Sequence, residues 1–117
     1  MSNKPYDLEE RTFQFAKAVR LMIKLLPKTT ANFEDAKQIV RSSGSIGANY
    51  IEANEALSKK DFLYRVKISR KEAKESFYWL RLINETNDIE NKKEIEYLLQ
   101  ETTELKKILS AIIEKSK

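Results

Sequence analysis

Apolar positions recur along most of this chain at steps of three and four residues, the spacing that places side chains on one face of an α-helix. Polar segments interrupt the pattern and divide it into four predicted helices, at about residues 7–26, 33–56, 58–84 and 89–115. The short connections make sequential helices antiparallel. The predicted fold class is therefore all-α, an antiparallel up-and-down four-helix bundle that forms a single domain over residues 1–117.

Each predicted helix has one apolar seam that we expect to face the core, with Asn32 and Ser58 as the N-caps of the second and third helices. The seams are Leu8, Thr12, Phe15, Val19, Met22 and Leu26; Phe33, Ala36, Val40, Ser43, Gly47, Tyr50 and Asn54; Phe62, Val66, Ser69, Ala73, Ser76, Leu80 and Ile83; and Ile95, Leu98, Thr102, Leu105, Leu109 and Ile112. The sustained alternation of steps favours helices that pack about 20° from antiparallel.

Both glycines of the chain lie inside the second predicted helix, where each costs about 1 kcal/mol relative to alanine. We expect this cost to be offset by close contact with a neighbouring helix, because backbones approach closely where side chains are absent. The predicted close-packing positions are Ser43, Gly44 and Gly47.

The third predicted helix carries a second apolar stripe, roughly opposite its seam and spanning about 100°. The stripe consists of Tyr64, Ile68, Tyr78, Trp79 and Leu82. Tyrosine and tryptophan clustered on a surface favour an interface, so this stripe is the predicted site of homo-oligomer formation. The alternative is that an irregular bundle buries both faces of this helix.

The net charge of +4 is unevenly placed, because residues 1–81 carry 16 Lys and Arg against 10 Asp and Glu, whereas residues 82–117 carry 6 against 8. Two basic strips predict contact with the backbone of RNA or DNA. One strip is Lys60, Lys67, Lys71, Lys74 and Arg81, and the other is Lys17, Arg20 and Lys24, continued by Lys28. Alternatively, the lysines are solvated and pair with Glu72 and Glu75.

One polar row remains on the second predicted helix, on the side away from its seam. It consists of Arg41, Ser45, Asn49 and Glu52. We expect this row to face solvent or, alternatively, a partner chain.

The absence of histidine and cysteine removes the commonest general base, the thiolate nucleophile and the usual metal ligands. Glu52 and Glu55 do not form a Glu-x-x-His motif, so we expect no catalytic residues, no metal, no cofactor and no enzymatic activity. The chain shows neither a leader-like apolar run nor an apolar stretch of about 18 residues. We therefore expect a cytoplasmic protein without a membrane partner.

Three segments, Arg41–Ala56, Ser58–Phe62 and Lys71–Leu82, carry a family resemblance, most specifically in Ser45-Ile-Gly-Ala-Asn49 and the following Glu52-Ala53. The chain resembles the bacterial four-helix-bundle proteins encoded within 23S rRNA intervening sequences. The resemblance implies small antiparallel bundles, ring-shaped homopentamers and no catalytic residues. A related branch, the accessory variability determinant of diversity-generating retroelements, binds nucleic acid through basic surface and associates with a reverse transcriptase.

These observations predict a non-enzymatic, oligomeric, nucleic-acid-associated accessory protein. The alternative is an oligomeric adaptor or scaffold that binds protein and does not bind nucleic acid. A reverse transcriptase is one protein partner that the resemblance suggests.

Overall fold

Four helices account for most of the computed structural model, which describes residues 7–90 and 92–117. Their bounds are α1 (Leu8–Ile23), α2 (Thr30–Asn54), α3 (Lys59–Thr86) and α4 (Lys92–Lys115). Each helix packs against the next in sequence, and α1 also contacts α4, which closes the bundle. The α2–α3 contact is the most extensive and the α1–α4 contact the sparsest. The predicted all-α four-helix bundle is confirmed.

The helix starts are set by side chains that accept hydrogen bonds from backbone N–H groups of the first turn. Ser58 caps α3 as predicted, accepting a bond of 3.0 Å from the N–H of Asp61. The predicted cap of α2 was wrong, because Thr29 holds that position and accepts from the N–H of Asn32 at 3.1 Å. The side chain of Asn32 instead exchanges two amide hydrogen bonds with Asn87, of 2.7 and 2.9 Å. This pair joins the first turn of α2 to the C-terminal end of α3.

The core contains the predicted seams of α1, α3 and α4, in which only Phe62 and Ile112 are half-buried. The predicted seam of α2 was correct at Ser43 and Gly47, which are buried, but its large apolar members lie about one residue from the observed face. Phe33 is 56% exposed, whereas Ile39, Ile46 and Ala53 are buried. Since α2 lies between α1 and α3, its buried arc is centred on the direction between these two neighbours. The buried positions of α2 consequently comprise a series at seven-residue steps, Asn32, Ile39, Ile46 and Ala53, together with Ser42, Ser43 and Gly47.

Polar contacts between helices are also buried. Ser69 Oγ donates 2.7 Å to the carbonyl oxygen of Ile46, and the hydroxyls of Ser42 and Ser76 are bonded at 2.9 Å. On the α1–α4 side, the Arg11 guanidinium binds both carboxylate oxygens of Glu101, at 2.7 and 2.9 Å. This ion pair was not predicted from the sequence.

Within the described segments, no helix combines the length and the apolar character needed to cross a membrane.

Candidate nucleic-acid interface

An ion-pair network links α2 to the side of α3 that faces it. Arg41 of α2 donates to Glu72 Oε1 at 3.1 Å and also binds Glu75. The indole N–H of Trp79 donates to Glu75 Oε2 at 2.9 Å. That hydrogen bond, together with Arg41, holds the pKa of Glu75 below its ordinary value despite partial burial. Both carboxylates that were alternative partners for the α3 lysines thus bind α2.

The polar row of α2 lies at the edge of the α2–α3 contact. Arg41 is exposed, as expected, and at the same time it binds the carboxylates of α3. Asn49, one turn from the end of that row, accepts a hydrogen bond of 3.2 Å from Arg65 of α3. The row therefore forms part of the α2–α3 contact, while Glu52 remains exposed.

The opposite flank of α3 meets α4 along a basic groove. Its first hollow, of about 330 Å³, is lined by five cationic side chains and one hydroxyl: Lys67, Arg70, Lys71, Lys74, Lys106 and Ser110. Arg70 is half-buried, and its Nη1 donates to Ser110 Oγ at 3.3 Å. Among the described residues, no carboxylate lines this hollow. Positive charge therefore converges there without an acidic group in the wall.

A second hollow, of about 290 Å³, adjoins the first and shares Lys74 and Lys106 with it. Its other lining residues are Ala73, Phe77, Thr102 and Thr103. The Phe77 ring is 39% exposed at this position. The two hollows, which we call the α3–α4 groove, thus place an aromatic ring beside a cation cluster.

Sequence reasoning identified Lys67, Lys71 and Lys74 as candidates but missed Arg70, Lys106 and Phe77. Arg70 and Phe77 lie on the α4 side of the predicted strip, and Lys106 belongs to the net acidic last segment. Only the packing of α4 against α3 brings these side chains together.

The other predicted cations lie outside this groove. Lys60 is exposed near the start of α3, and Arg81 is paired with Glu85 at 3.0 Å. Lys17, Arg20 and Lys24 line a different groove, between α1 and α2. In a closed bundle the α1–α2 side lies opposite the α3–α4 side. The two predicted strips therefore do not form one continuous surface.

The groove between α1 and α2 has a volume of about 530 Å³ and is mainly apolar. Three of its side chains are substantially exposed: Phe13 at 59%, Leu21 at 52% and Ile51 at 44%. Arg20 lies along its wall, where its guanidinium donates to the carbonyl oxygens of Ala16 and Val40 at 3.0 and 3.3 Å. Arg20 is thus engaged with the chain's own backbone.

Gly44 and Gly47 lie on this side of α2, but their surroundings differ. A Cβ at Gly47 would lie 2.7 Å from Thr12 Oγ1 and 3.1 Å from Thr12 Cβ, which places the α1 and α2 backbones very close together. A Cβ at Gly44 would meet only Arg20 Nη2, at 3.3 Å. Ser43 is fully buried.

The aromatic stripe of α3 is only partly exposed. Tyr64 and Tyr78 are 60% and 56% exposed, whereas Ile68, Trp79 and Leu82 are half-buried. Trp79 packs against the core cluster and meets the Tyr78 ring edge-on, with the ring centroids 5.0 Å apart. On an ideal helix, Tyr78 projects within about 20° of Lys67 and Lys71. The exposed tyrosines and the lysines thus share the outer face of α3.

The carboxylates of Glu52 and Glu55 are exposed near the C-terminal end of α2. In the described ranges, no three or more of Asp, Glu, His and Cys are grouped so that they could hold a metal ion.

Comparison with known proteins identified a matching family and a similar solved structure. The family model described as "23S rRNA-intervening sequence protein" matches residues 5–111. A crystal structure of a protein of unknown function from the S23 ribosomal protein family of Bacteroides thetaiotaomicron superposes with a TM-score of 0.80. That protein is 37% identical in sequence, and the match covers 90% of this chain and 96% of that one. No curated protein matches the chain.

Proposed function

The chain belongs to the 23S rRNA-intervening sequence protein family. For this member of the family we propose the function of a non-enzymatic, nucleic-acid-associated accessory protein. It binds the phosphate backbone of RNA or DNA electrostatically. The principal contacts come from Lys67, Lys71 and Lys74 on α3, and Lys60 and Arg81 extend the strip along the helix. Lys17, Arg20 and Lys24 provide weaker contacts on the opposite side of the bundle.

The observation that carries this proposal is the five-cation hollow of the α3–α4 groove, whose described lining contains no carboxylate. Glu72 and Glu75, the acidic residues of α3 nearest to the lysines in sequence, bind Arg41 on the other flank. Concentrated positive charge of this kind releases counterions from a phosphate backbone, which is the main source of affinity in non-specific binding. Backbone contacts fix position without reading sequence, so we expect weak sequence preference.

Self-association is part of the proposal. The exposed rings of Tyr64 and Tyr78 provide an aromatic surface, and family resemblance favours a homopentamer. A ring of five copies would repeat each basic strip fivefold, so that individually weak contacts would act together. Sedimentation equilibrium of the wild type and of Tyr64→Ser/Tyr78→Ser tests this step, and a wild type that stays monomeric at high concentration contradicts it.

Fluorescence anisotropy with labelled RNA and DNA, titrated at several salt concentrations, tests the binding function. We expect log K to fall linearly with log[salt], and Lys67→Glu/Lys74→Glu to weaken binding at least tenfold. The matched control is Lys107→Glu/Lys115→Glu, which changes the net charge equally at exposed positions of α4 outside the groove. If both double variants bind like the wild type, or if the wild type does not bind at low salt, the proposed function is wrong.

The second candidate function is a protein adaptor, favoured by the exposed apolar side chains of the α1–α2 groove. A groove between two helices suits the apolar face of a third, amphipathic helix. Because Lys17 and Lys24 border this groove, the fitting helix would carry acidic residues beside its apolar face. A wild type that fails to bind nucleic acid, but binds an acidic amphipathic peptide in a manner abolished by Leu21→Ser/Ile51→Ser, would favour this function.

A further inference from the structure

We propose that the α3–α4 groove binds single-stranded nucleic acid, with a phosphate in the hollow at Arg70 and Lys106 and the adjacent base against the Phe77 ring. This inference rests on the proposed function and narrows it, because it names the strandedness of the ligand and the residues of α4 that contact it. Neither Phe77 nor Lys106 belongs to the basic strips read from the sequence.

The phosphate half of the site is defined by cations from two helices. Lys67, Lys71 and Lys74 approach from α3 and Lys106 from α4, on either side of the hollow of about 330 Å³. Arg70 lies between them and is oriented by its hydrogen bond to Ser110 Oγ. A guanidinium held in this way retains further N–H donors for phosphate oxygens, and the lysines add charge around it.

The base half of the site is the adjoining hollow. Phe77, which is 39% exposed, lines this hollow together with the hydroxyl-bearing Thr102 and Thr103. Lys74 and Lys106 line both hollows, so the aromatic ring and the cation cluster are direct neighbours. A basic groove that carries an aromatic ring is the arrangement by which proteins bind single strands, because every base has a face that can stack.

The concave shape favours a single strand over a duplex. Each hollow has a volume near the lower limit of small-molecule pockets, about 300 Å³, and is bordered by two helices. A duplex keeps its bases stacked inside and presents only its phosphates to such a groove. An unpaired nucleotide can turn its base outward onto an aromatic side chain. Phe77 therefore contributes to binding only when the strand is unpaired.

The test is fluorescence anisotropy with a labelled oligouridylate and with a labelled duplex RNA of equal length, each titrated at several salt concentrations. Phe77→Leu keeps an apolar side chain against α4 but removes the aromatic face, and Phe77→Tyr restores that face. Lys106→Gln removes one cation from the groove. Its matched control is Lys107→Gln, the next residue of α4, which lies outside the groove and is 4.0 Å from Glu104. Thermal melts establish that each variant is folded.

We expect the wild type to bind the single strand more tightly than the duplex. Phe77→Leu should weaken single-strand binding about tenfold, the scale of one base–aromatic stack, and leave duplex binding within twofold. Phe77→Tyr should bind as the wild type does. Lys106→Gln should reduce the slope of log K against log[salt] by about 0.7, the value for one lost phosphate contact of a single strand, and Lys107→Gln should not change it.

Two results would overturn the inference, and they are distinguishable from failure of the proposed function. If Lys67→Glu/Lys74→Glu weakens binding but Phe77→Leu and Lys106→Gln behave like the wild type, the chain binds nucleic acid through the lysines of α3 without a base against Phe77 or a phosphate contact from α4. If Phe77→Leu weakens duplex and single-strand binding equally, Phe77 has no stacking role. If the wild type binds neither probe at low salt, the proposed function and this inference both fail.

Discussion

Replacing each of the two glycines of α2 with alanine should have opposite effects on stability, although the two positions are only one helical turn apart. Gly44→Ala and Gly47→Ala each gain about 1 kcal/mol of helix propensity. What differs is the space for the new methyl group. At Gly44 it would lie 3.3 Å from Nη2 of the flexible Arg20 side chain, which can move away. We expect Gly44→Ala to stabilise the protein by about 0.5–1 kcal/mol.

At Gly47 the methyl group would lie 2.7 Å from Thr12 Oγ1 and 3.1 Å from Thr12 Cβ. Thr12 is 1% exposed, and its hydroxyl donates to the carbonyl oxygens of Leu8 and Glu9 at 2.8 and 3.0 Å. The side chain therefore cannot rotate away without losing these bonds, and because Thr12 Cβ is also too close, α1 must shift as well. Overpacking of this kind costs about 1–3 kcal/mol, and the loss of the hydroxyl bonds adds about 1 kcal/mol. After the gain in propensity, we expect a net loss of about 1–3 kcal/mol.

Urea denaturation followed by circular dichroism at 222 nm measures both variants, and Thr12→Ala tests the cause. Thr12→Ala removes the closest atom and should reduce the cost of Gly47→Ala in a double-mutant cycle. Thr12→Ser keeps the hydroxyl and should not. A Gly47→Ala variant as stable as Gly44→Ala would refute the close approach of α1 and α2. So would a cost that is unchanged by Thr12→Ala.

Three further predictions concern the core and its ion pairs. Ile39→Ala should cost about 2–4 kcal/mol and Phe33→Ala less than 1 kcal/mol in urea denaturation, and a reversed order would contradict the observed face of α2. Arg11→Ala should destabilise by about 2–3 kcal/mol, more than Glu101→Ala, because it leaves a buried carboxylate while Arg11 alone can reach solvent. Folding lowers the pKa of Glu75. Ionised Glu75 therefore contributes to the free energy of unfolding above its unfolded-state pKa of about 4.3, and this contribution is lost as the pH falls through its folded-state pKa. The difference in stability between wild type and Glu75→Gln should therefore shrink from pH 6 to pH 3, and a constant difference would argue against that contribution.

The periodicity of the sequence was sufficient for the buried faces of α1, α3 and α4, because in each of them the large apolar residues of the predicted seam recur at steps of three and four or their sum. In α2 it was not sufficient. The predicted seam was placed on the face that contains Phe33 and Tyr50. Large aromatic side chains, however, also occur at the edge of a buried face, and these two do not mark its centre. Ile39, Ile46 and Ala53, separated by seven residues, were the signal for the buried face. The small Ser42 and Ser43 beside them contributed little to an apolar pattern.

The candidate site was less predictable than the fold, because it is built from two helices that are distant in sequence. A helical-wheel projection of α3 alone assigns Lys67 and Lys71 to one basic strip, but it does not show that Lys106 of α4 lies across the groove from them. The same wheel suggests Glu72 and Glu75 as partners for these lysines. Arg41, thirty-one residues before Glu72, takes that role in the structure. Long-range ion pairs of this kind depend on the order in which helices pack, which local periodicity does not encode.

The outer face of α3 presents two proposed contacts that compete for the same surface. Tyr78 projects within about 20° of Lys71 on an ideal helix, so a second copy bound over the tyrosines would cover part of the lysine strip. The second hollow of the α3–α4 groove, at Phe77 and Lys106, lies to one side of this face. Self-association would therefore leave that hollow open while it covers Lys67 and Lys71, which line the first hollow. Under that arrangement, nucleic-acid binding by the assembled protein would depend more strongly on Lys106 than binding by the monomer.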